Sequence, residues 1–263
     1  MKYFLSLGCI IKDEDYLEEF LVYYRVLGVE HFFIYDNESS IPISKRLEKT
    51  KLKDFCTIIP YPGKAQQIHA YNHLINYTKK ITKWLIIVDG DEFILPKKHK
   101  SLRDFLKEYK DYDAIGINWV MFGSSYHEKK QDGFIIDKYT RNNGVQNKHI
   151  KTICKPLYVK NIVNPHYVIP INPNKYIDPN KKIIKVGPFN ENKTIDIIQI
   201  NHYWGKSMED MLQKINRGRA PIDKKRELPE NYHGKDNSII CNLIVDKYLN
   251  SLIKYFNDYN IIK

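Results

Sequence analysis

Three acidic residues lie within four positions, directly after an apolar run in the first half of the chain. The run is Trp84–Val88, and Asp89-Gly90-Asp91-Glu92 follows it. In an extended chain, side chains at positions i and i+2 point the same way, so Asp89 and Asp91 can converge on one point. Oxygen ligands of this kind suit a hard divalent ion such as Mn²⁺ or Mg²⁺, whose remaining positions substrate phosphates would fill. An ordinary acidic turn is the alternative, because Asp-Gly is a frequent turn dipeptide.

The elements around this stretch predict an α/β fold. The run Trp84–Val88 is short and rich in β-branched residues, which is typical of a strand buried on both faces of a parallel sheet. Further strands are predicted at Tyr3–Ile11, His31–Tyr35 and Cys56–Ile59, and helices at Asp15–Leu27, Lys45–Leu52 and Gln66–Lys80. Strands and helices that alternate with tight joints form right-handed βαβ units. We therefore expect a Rossmann-like, mostly parallel central sheet flanked by helices.

The loops that follow these strands are the expected binding region. Ligands of open α/β sheets bind at the carboxyl ends of the strands. The loops at 12–14, 36–40 and 89–92 are all acidic or polar, and a nucleotide would suit them. The sequence contains neither a Gly-x-Gly-x-x-Gly nor a Walker-type loop, so phosphate would be held by the ion and by basic side chains.

The ends of two helices carry recognisable signals. Asp15 and Glu18 have the spacing of a capping box, and Gly28 follows the helix as a stop. Ser207 is expected to cap a helix that extends to Asn216.

The second half of the chain is less regular. A helix is predicted at Ser101–Lys110 and a strand at Ala114–Met121, followed by a loop of small residues. Alternating short strands and turns are expected between residues 132 and 187, and another strand ends near His202. A long amphipathic helix is predicted from Asn237 to Asn260, and its apolar stripe is more typical of core packing than of a membrane face.

Composition limits the class of protein. The chain has 263 residues, 43% of them hydrophobic, and 20 Tyr, 11 Phe and 3 Trp, which is enough for a large buried core. The net charge is +11, and a basic protein that binds nucleic acid or membrane surfaces without catalysis is therefore the alternative function. Such a protein would cluster Lys and Arg among exposed aromatic residues. Here the basic residues are scattered, so we expect no nucleic-acid partner, although contact with a membrane surface stays open.

The cysteines and the N-terminus indicate the compartment. The four cysteines lack metal-ligand or redox spacing and are expected to be free thiols: Cys9, Cys56, Cys154 and Cys241. The apolar N-terminal run is too short to span a membrane, and acidic helix residues follow it without a cleavage site. We expect a soluble, cytoplasmic protein.

Six stretches of the chain resemble glycosyltransferases of the GT-A fold, in particular the group that contains family 92 and family 2-like enzymes. In order they are DEDYLEEFLVYYRVLGVEHFFIYDNES, QIHAYNHLINY, WLIIVDGDEFILP, INWVMFGSS, KTICKP and HYWGKSMEDMLQKINRG. The resemblance implies a metal-dependent, inverting transfer of a hexose from a nucleotide sugar to a hydroxyl of a glycan, lipid or protein. The nucleotide that the family resemblance suggests is UDP. The resemblance also implies one GT-A domain over 1–263: a nucleotide-sugar half at 1–100, an acceptor half at 101–236 and a C-terminal helix at 237–263.

The resemblance gives the acidic motif its roles. It implies that Asp91 binds the metal directly and that Asp89 bridges the metal and the ribose. His202, at the end of a late strand, is the candidate third ligand, since a neutral imidazole can bind Mn²⁺. A histidine satisfied within an aromatic core is the alternative for His202.

The same comparison suggests the nucleotide-binding residues. Asp36 resembles the acid that contacts the base or ribose, although an Asx-turn or helix cap is an alternative. Gln67 matches a family position, although a helix glutamine commonly faces solvent. The basic residues that could hold the diphosphate are Lys12, Lys206, Lys214, Arg217 and Arg219.

An inverting transfer also needs a group that accepts the proton of the acceptor hydroxyl. The candidates are Glu92, next to the acidic pair, and His127 and Glu128, on the loop after the Phe122-Gly123 motif. Glu92 has a structural alternative, in which backbone amides hold its carboxylate.

Overall fold

The computed structural model describes residues 1–217 and 227–261. The strands are β1 Tyr3–Ile11, β2 His31–Asp36, β3 Cys56–Pro60, β4 Thr82–Ile87, β5 Glu92–Pro96, β6 Ala114–Phe122, β7 Arg141–Cys154, β8 Val159–Asn164, β9 Tyr167–Pro170, β10 Tyr176–Ile177, β11 Ile198–His202 and β12 Ile239–Ile240. The α-helices are α1 Leu17–Val26, α2 Ile43–Leu47, α3 Gln67–Thr78, α4 Leu102–Lys107, α5 Ile135–Lys138, α6 Met208–Arg217 and α7 Leu243–Asp258.

One large sheet has the order β3-β2-β1-β4-β7-β6-β11-β5. Strands β3, β2, β1 and β4 lie side by side and are parallel to one another, and β6 and β11 are also parallel. Strand β7 runs antiparallel between β4 and β6, and β5 runs antiparallel at the far edge. The predicted α/β fold with a mostly parallel central sheet is therefore confirmed.

Helices cover both faces of this sheet because the strands are apolar on both sides. One apolar cluster includes Leu17 and Phe20 of α1 and Tyr248 of α7. The other lies beneath α3 and includes Leu74. Gly8 of β1 allows α3 to pack closely, since a Cβ there would lie 2.1 Å from a methyl carbon of Leu74. The sheet and these helices therefore form a rigid base for the loops at the strand ends.

The acidic loop connects two strands that are not neighbours. Strand β4 ends at Ile87 and β5 begins at Glu92, but β7, β6 and β11 lie between them in the sheet order. Residues 88–91 form a tight connection between β4 and β5, in which the N–H of Glu92 donates to the Asp89 carbonyl at 3.1 Å. The backbone N–H of Tyr203, just after β11, donates to the Asp91 carbonyl at 2.9 Å and fixes the loop there.

The predicted capping box at Asp15 and Glu18 is wrong. Helix α1 begins at Leu17 after Tyr16, which makes no side-chain cap hydrogen bond. The two carboxylates instead pair with cations from other elements: Asp15 with Lys130 and Glu18 with Arg46. The carboxylates that a local cap would use therefore form ion pairs with distant residues instead.

The region from 132 to 187 contains a longer strand than predicted. The prediction was of short strands only, but strand β7 has 14 residues and lies in the middle of the sheet. Its first half is mostly polar and partly exposed, so the sequence there lacks the apolar pattern of a core strand.

The C-terminal helix begins later than predicted. Residues Ile239–Ile240 form β12, which pairs with the start of β7, and α7 begins only at Leu243. Ile240, expected in the apolar stripe, is 55% exposed. Cross-strand pairing with β7 therefore overrides the helical pattern at this end.

Two further observations complete the description. Within the described residues, all four cysteines are free, as predicted. No helix in that part of the chain combines the length and the apolar character needed to cross a bilayer.

Candidate functional site

Each carboxylate of the acidic pair contacts a buried lysine. The Lys151 ammonium, on β7, lies 2.8 Å from Asp89 Oδ2, and the Lys214 ammonium, on α6, donates to Asp91 Oδ2. Burial raises the pKa of both carboxyl groups, but the neighbouring ammonium groups outweigh it and hold both pKa values below the usual range. Both acids are therefore ionised at neutral pH.

Asp89 is also held on its other oxygen. Its Oδ1 accepts hydrogen bonds from Gln67 Nε2 at 2.8 Å and from the Tyr71 hydroxyl at 3.1 Å. Both donors lie on α3, and Gln67 is buried at the first position of that helix rather than facing solvent. Protein donors therefore fix both oxygens of Asp89, with Lys151 holding Oδ2.

Asp91 faces an imidazole. His202 Nε2 lies 3.5 Å from Asp91 Oδ1, and both side chains are buried. Burial lowers the pKa of His202, although Asp91 opposes this, so the ring is neutral at neutral pH. Within the described part of the chain, His202 Nδ1 has no hydrogen-bond partner.

A divalent ion fits this corner only in part. In residues 1–217 and 227–261, no group of three or more His, Cys, Asp and Glu side chains is arranged to hold an ion. Asp91 Oδ1 and His202 Nε2 are one oxygen and one nitrogen donor that face each other, and both types bind Mn²⁺. Asp91 and His202 would therefore hold an ion whose other positions belong to ligand oxygens.

Glu92 is a fully buried carboxyl group beside the acidic pair. Its side chain is fully buried, Oε2 accepts the backbone N–H of Asp89 at 2.8 Å, and the Lys151 ammonium lies 3.6 Å away. Burial raises the pKa of Glu92 well above its usual value, and the charges of Asp89 and Asp91 add to this. Its other oxygen, Oε1, is buried and makes no hydrogen bond within the described residues, so Glu92 fits the structural alternative through Oε2 and stays a candidate proton acceptor through Oε1.

A cleft of about 670 Å³ opens beside the acidic loop, between the ends of β1 and β2 and helix α6. Its charged and polar lining includes Asp13, Glu14, Ser39, Arg46, Lys206 and Lys214. The Lys206 ammonium lies 3.0 Å from Glu14 Oε1 and 4.5 Å from the centre of the Tyr16 ring. Gly90 packs closely against the cleft lining, since a Cβ there would lie 2.9 Å from Ile11 Cδ1 and 3.2 Å from Glu14 Cγ.

The start of α6 fixes the two lysines of the cleft. Ser207 Oγ accepts the N–H of Asp210 at 3.1 Å, and Asp210 Oδ2 accepts the N–H of Ser207 at 3.1 Å. This reciprocal pair caps the helix and confirms the predicted role of Ser207. The Tyr139 hydroxyl also donates to Asp210 at 3.1 Å and ties α6 to the rest of the fold.

The other predicted nucleotide-binding residues lie in different settings. Asp36 accepts the N–H groups of Ser39 at 3.0 Å and Ile43 at 2.9 Å, the cap arrangement considered as its alternative. Lys12 directly follows β1 and is partly exposed. The side chain of Arg217, at the end of α6, and the whole of Arg219 lie outside the described residues.

His127 and Glu128 contact other parts of the second half. His127 Nε2 lies 3.2 Å from the carbonyl of Lys138, at the end of α5. Glu128 is exposed and lies 3.0 Å from His233 Nε2, in a one-turn 3₁₀ helix at Tyr232–Gly234. Both remain predictions as proton acceptors.

Sequence reasoning missed four residues at or near the corner: Glu14, Tyr71, Lys151 and Asp236. Three of them lie inside stretches that carried the resemblance, DEDYLEEF, QIHAYNHLINY and KTICKP, which was the available signal. Asp236 lies outside those stretches. Its Oδ1 accepts Asn143 Nδ2 at 2.7 Å, its φ is +55°, and burial raises its pKa while Lys235 and His202 lower it.

Comparison with known proteins assigns the chain to a family. The sequence model of glycosyltransferase family 92 matches residues 9–232, which include the acidic loop, His202 and both lysines of the cleft. The chain belongs to glycosyltransferase family 92. The family predicted from the six stretches is therefore confirmed, and with it the assignment to glycosyltransferases at the level of family membership.

Relatives within family 92 are distant and longer. A family 92 protein of Oryza sativa subsp. japonica is 24% identical over 192 residues, which are 72% of this chain and 31% of the relative. One of Ricinus communis is 30% identical over 154 residues, 54% of this chain and 26% of the relative. The chain thus spans less than a third of these curated relatives. Among solved structures, HddC from Yersinia pseudotuberculosis aligns with a TM-score of 0.39 and 14% identity, over 68% of this chain and 91% of that chain.

Proposed function

We propose that this family 92 chain transfers a hexose from a nucleotide sugar to a hydroxyl of a glycan, lipid or protein, with inversion and with Mn²⁺ or Mg²⁺. UDP is the proposed nucleotide. One observation carries the proposal: the ionised, buried Asp91 lies between His202 and the Lys214 of a cleft large enough for a nucleotide. Family membership supports the reaction class.

The cleft contains two lysines that could stabilise a departing nucleoside diphosphate, although its lining also includes the carboxylates of Asp13, Glu14, Asp15 and Asp210. As the glycosidic bond breaks, negative charge grows on the diphosphate, and groups fixed in advance stabilise it without reorganising. Lys206 and Lys214 both line the cleft from α6 and the turn before it. A bound divalent ion would neutralise further charge as a Lewis acid.

The residues around Asp89 have a supporting part. Gln67, Tyr71 and Lys151 hold its two oxygens, so its carboxylate keeps one orientation while ligands bind. Lys151 also balances a negative charge that would otherwise repel Asp91. We propose that this fixed carboxylate contacts the ribose or the ion rather than moving during the reaction.

The proton acceptor is open to direct comparison. Glu92, His127 and Glu128 are the predicted candidates, and Asp236, whose pKa is raised by burial and whose carboxylate is held by Asn143, adds a fourth. Transfer rates of Glu92→Gln, His127→Gln, Glu128→Gln and Asp236→Asn, each with donor hydrolysis as reference, would identify the base as the one whose loss stops transfer.

The substitution Asp91→Asn tests the proposal. It should abolish Mn²⁺-dependent hydrolysis of UDP-hexoses and leave the fold intact, because the amide keeps the shape but loses the charge that holds an ion. Asp246→Asn, at an exposed position of α7, is the matched control and should hydrolyse at the wild-type rate. Unchanged turnover in Asp91→Asn would rule out this role.

Thermal melting tests the class of ligand. The wild-type protein should gain stability from Mn²⁺ together with one of UDP, GDP or CMP, and not from the nucleotide alone. Stabilisation by oligonucleotides only, without a response to nucleotide and metal, would instead favour the polyanion-binding alternative.

A further inference from the structure

Four aromatic rings meet on one face of the second half of the sheet. Trp119 lies on β6, His149 on β7 and His202 on β11, and His166 lies in the turn between β8 and β9. The Trp119 ring is stacked on His149 at 5.2 Å between centres, and lies 5.0 Å from His166 and 4.3 Å from His202. Phe189 extends the group, 4.8 Å from His149 and 43% exposed. We call these five rings the ring surface.

The outer histidines of the ring surface carry no charge at neutral pH. Burial lowers the pKa of His166 to about 4, and it also lowers the pKa of His149. Neutral aromatic rings have an electron-rich face that attracts weakly positive C–H groups. The ring surface therefore differs from the adjoining corner, where ionised carboxylates and ammonium groups meet.

Two polar atoms of the ring surface have no partner. In the part of the chain that the structure describes, Trp119 Nε1 and His202 Nδ1 are buried and make no hydrogen bond. An indole N–H is only a donor, and leaving such a group unsatisfied costs about 1–3 kcal/mol. An unsatisfied buried group in a native fold calls for a specific explanation, and a ligand is one.

The ring surface adjoins the site around Asp91. His202 belongs to both, since its ring contacts Trp119 and its Nε2 faces Asp91 at 3.5 Å. The cleft of about 670 Å³ instead approaches Asp91 from the side of β1, β2 and α6. A nucleotide in the cleft and a second ligand on the rings would therefore meet at Asp91.

We propose that the ring surface binds the pyranose ring of a carbohydrate acceptor, with Trp119 as the main stacking residue. A pyranose has a face of C–H groups for the rings and hydroxyls at its edge for Trp119 Nε1 and His202 Nδ1. A lipid chain would fill the same surface but leave both nitrogens unsatisfied. That the bound sugar is the acceptor rests on the proposed function. The binding of a sugar can nevertheless be measured without any reaction.

The indole N–H signals of the three tryptophans provide that measurement. Methyl pyranosides of glucose, galactose, mannose and fucose are titrated into ¹⁵N-labelled wild-type protein, and Trp119→Phe identifies the Trp119 signal. At least one glycoside should shift that signal saturably, while the fully buried Trp84 stays unchanged. A Trp119 signal that none of the four glycosides moves, or that moves only with octanol, would overturn the inference.

Kinetics separate this inference from the proposed function. With the glycoside that binds and a UDP-hexose, Trp119→Leu should raise the acceptor KM about fivefold to tenfold, as expected for loss of a stacking contact. Tyr158→Leu, an exposed aromatic outside the ring surface, is the matched control and should keep the wild-type KM. An unchanged KM in Trp119→Leu contradicts the inference, whereas wild-type protein that binds glycosides but hydrolyses no donor contradicts only the proposed function.

Discussion

The Lys214 ammonium contacts the Asp91 carboxylate, and the divalent ion that we propose would compete with it there. Unit charges 4 Å apart interact by about 1 kcal/mol in water and about 4 kcal/mol near a protein surface, so the ammonium is a substantial competitor. An ion held by Asp91 Oδ1 and His202 would repel the Lys214 ammonium on Oδ2, and we propose that this shifts the ammonium toward the diphosphate in the cleft. The order of binding would follow from this exchange.

The substitution Lys214→Met tests the exchange by ion binding alone. Without nucleotide, Mn²⁺ should bind the variant at least about threefold more tightly than wild type, because the competing charge is gone. UDP with Mn²⁺ should bind more weakly, because the diphosphate loses its ammonium. Free Mn²⁺ measured by electron paramagnetic resonance gives the first value and calorimetry the second.

Lys254→Met, at an exposed position of α7, serves as the control for Lys214→Met and should match wild type in both measurements. Equal or weaker binding of Mn²⁺ by Lys214→Met would show that Lys214 does not compete for Asp91.

Glu92 predicts a pH dependence of stability. Its pKa is raised in the folded protein, so its contribution is complete below the unfolded pKa of about 4.3 and is lost as pH rises through the folded value. Glu92→Gln lacks this loss. Its free energy of unfolding relative to wild type should therefore rise with pH, by up to about 1.4 kcal/mol per unit.

Urea unfolding between about pH 5 and pH 8 measures the difference for Glu92→Gln. A difference that stays constant over this range would mean that Glu92 is ionised in the folded protein.

The acids of the site were predictable at this scale, but their partners were not. Asp89 and Asp91 are adjacent in sequence to a recognisable strand, so local pattern was enough to find them. Lys151 lies far along the chain in a polar stretch, and only the packing of β7 against β4 brings it to Asp89. The contact between Lys151 and Asp89 therefore cannot be predicted from the spacing of residues in the sequence.

Among the elements, those with local periodicity were predicted well and those that depend on distant pairing were not. The strands and helices from β1 to β4 follow apolar patterns that the sequence displays. Strand β5 was missed because it exists through its antiparallel pairing with β11, more than a hundred residues later. The same holds for β12, which pairs with β7.

Lys247 of helix α7 forms hydrogen bonds to the backbone at and after the end of β5. Lys247 Nζ donates to the carbonyls of Pro96, Lys97 and His99. Lys247→Met keeps the aliphatic length but leaves these carbonyls without their donor, and should lower the free energy of unfolding by about 1–3 kcal/mol. Chemical denaturation measures the loss.

Lys254→Met, on the same helix but exposed, should unfold like wild type and so controls for a lysine lost from α7. A wild-type midpoint for Lys247→Met would mean that water replaces its hydrogen bonds at no cost.

At the scale of the whole molecule, β7 joins the two halves of the chain. It pairs with β4 on one side and with β6 on the other, inside one continuous sheet. Neither half can bury its strands without the other, so we expect a single domain with one cooperative unfolding transition.

Tryptophan fluorescence and far-ultraviolet circular dichroism should report the same transition, because Trp84 lies on β4 and Trp119 on β6. Two separate midpoints would show that the halves unfold independently and would contradict the single domain.

The position of three later strands between β4 and β5 in the sheet also determines when the site is assembled during synthesis. The ribosome releases both acids early, whereas Lys151, His202 and Lys214 follow much later. Contacts between residues so far apart in sequence form slowly, since closing long loops costs entropy before any pairing repays it. A nascent chain therefore carries two unbalanced carboxylates until β7 brings Lys151 to Asp89 and α6 brings Lys214 to Asp91. A truncated translation product would contain the whole acidic motif without these partners.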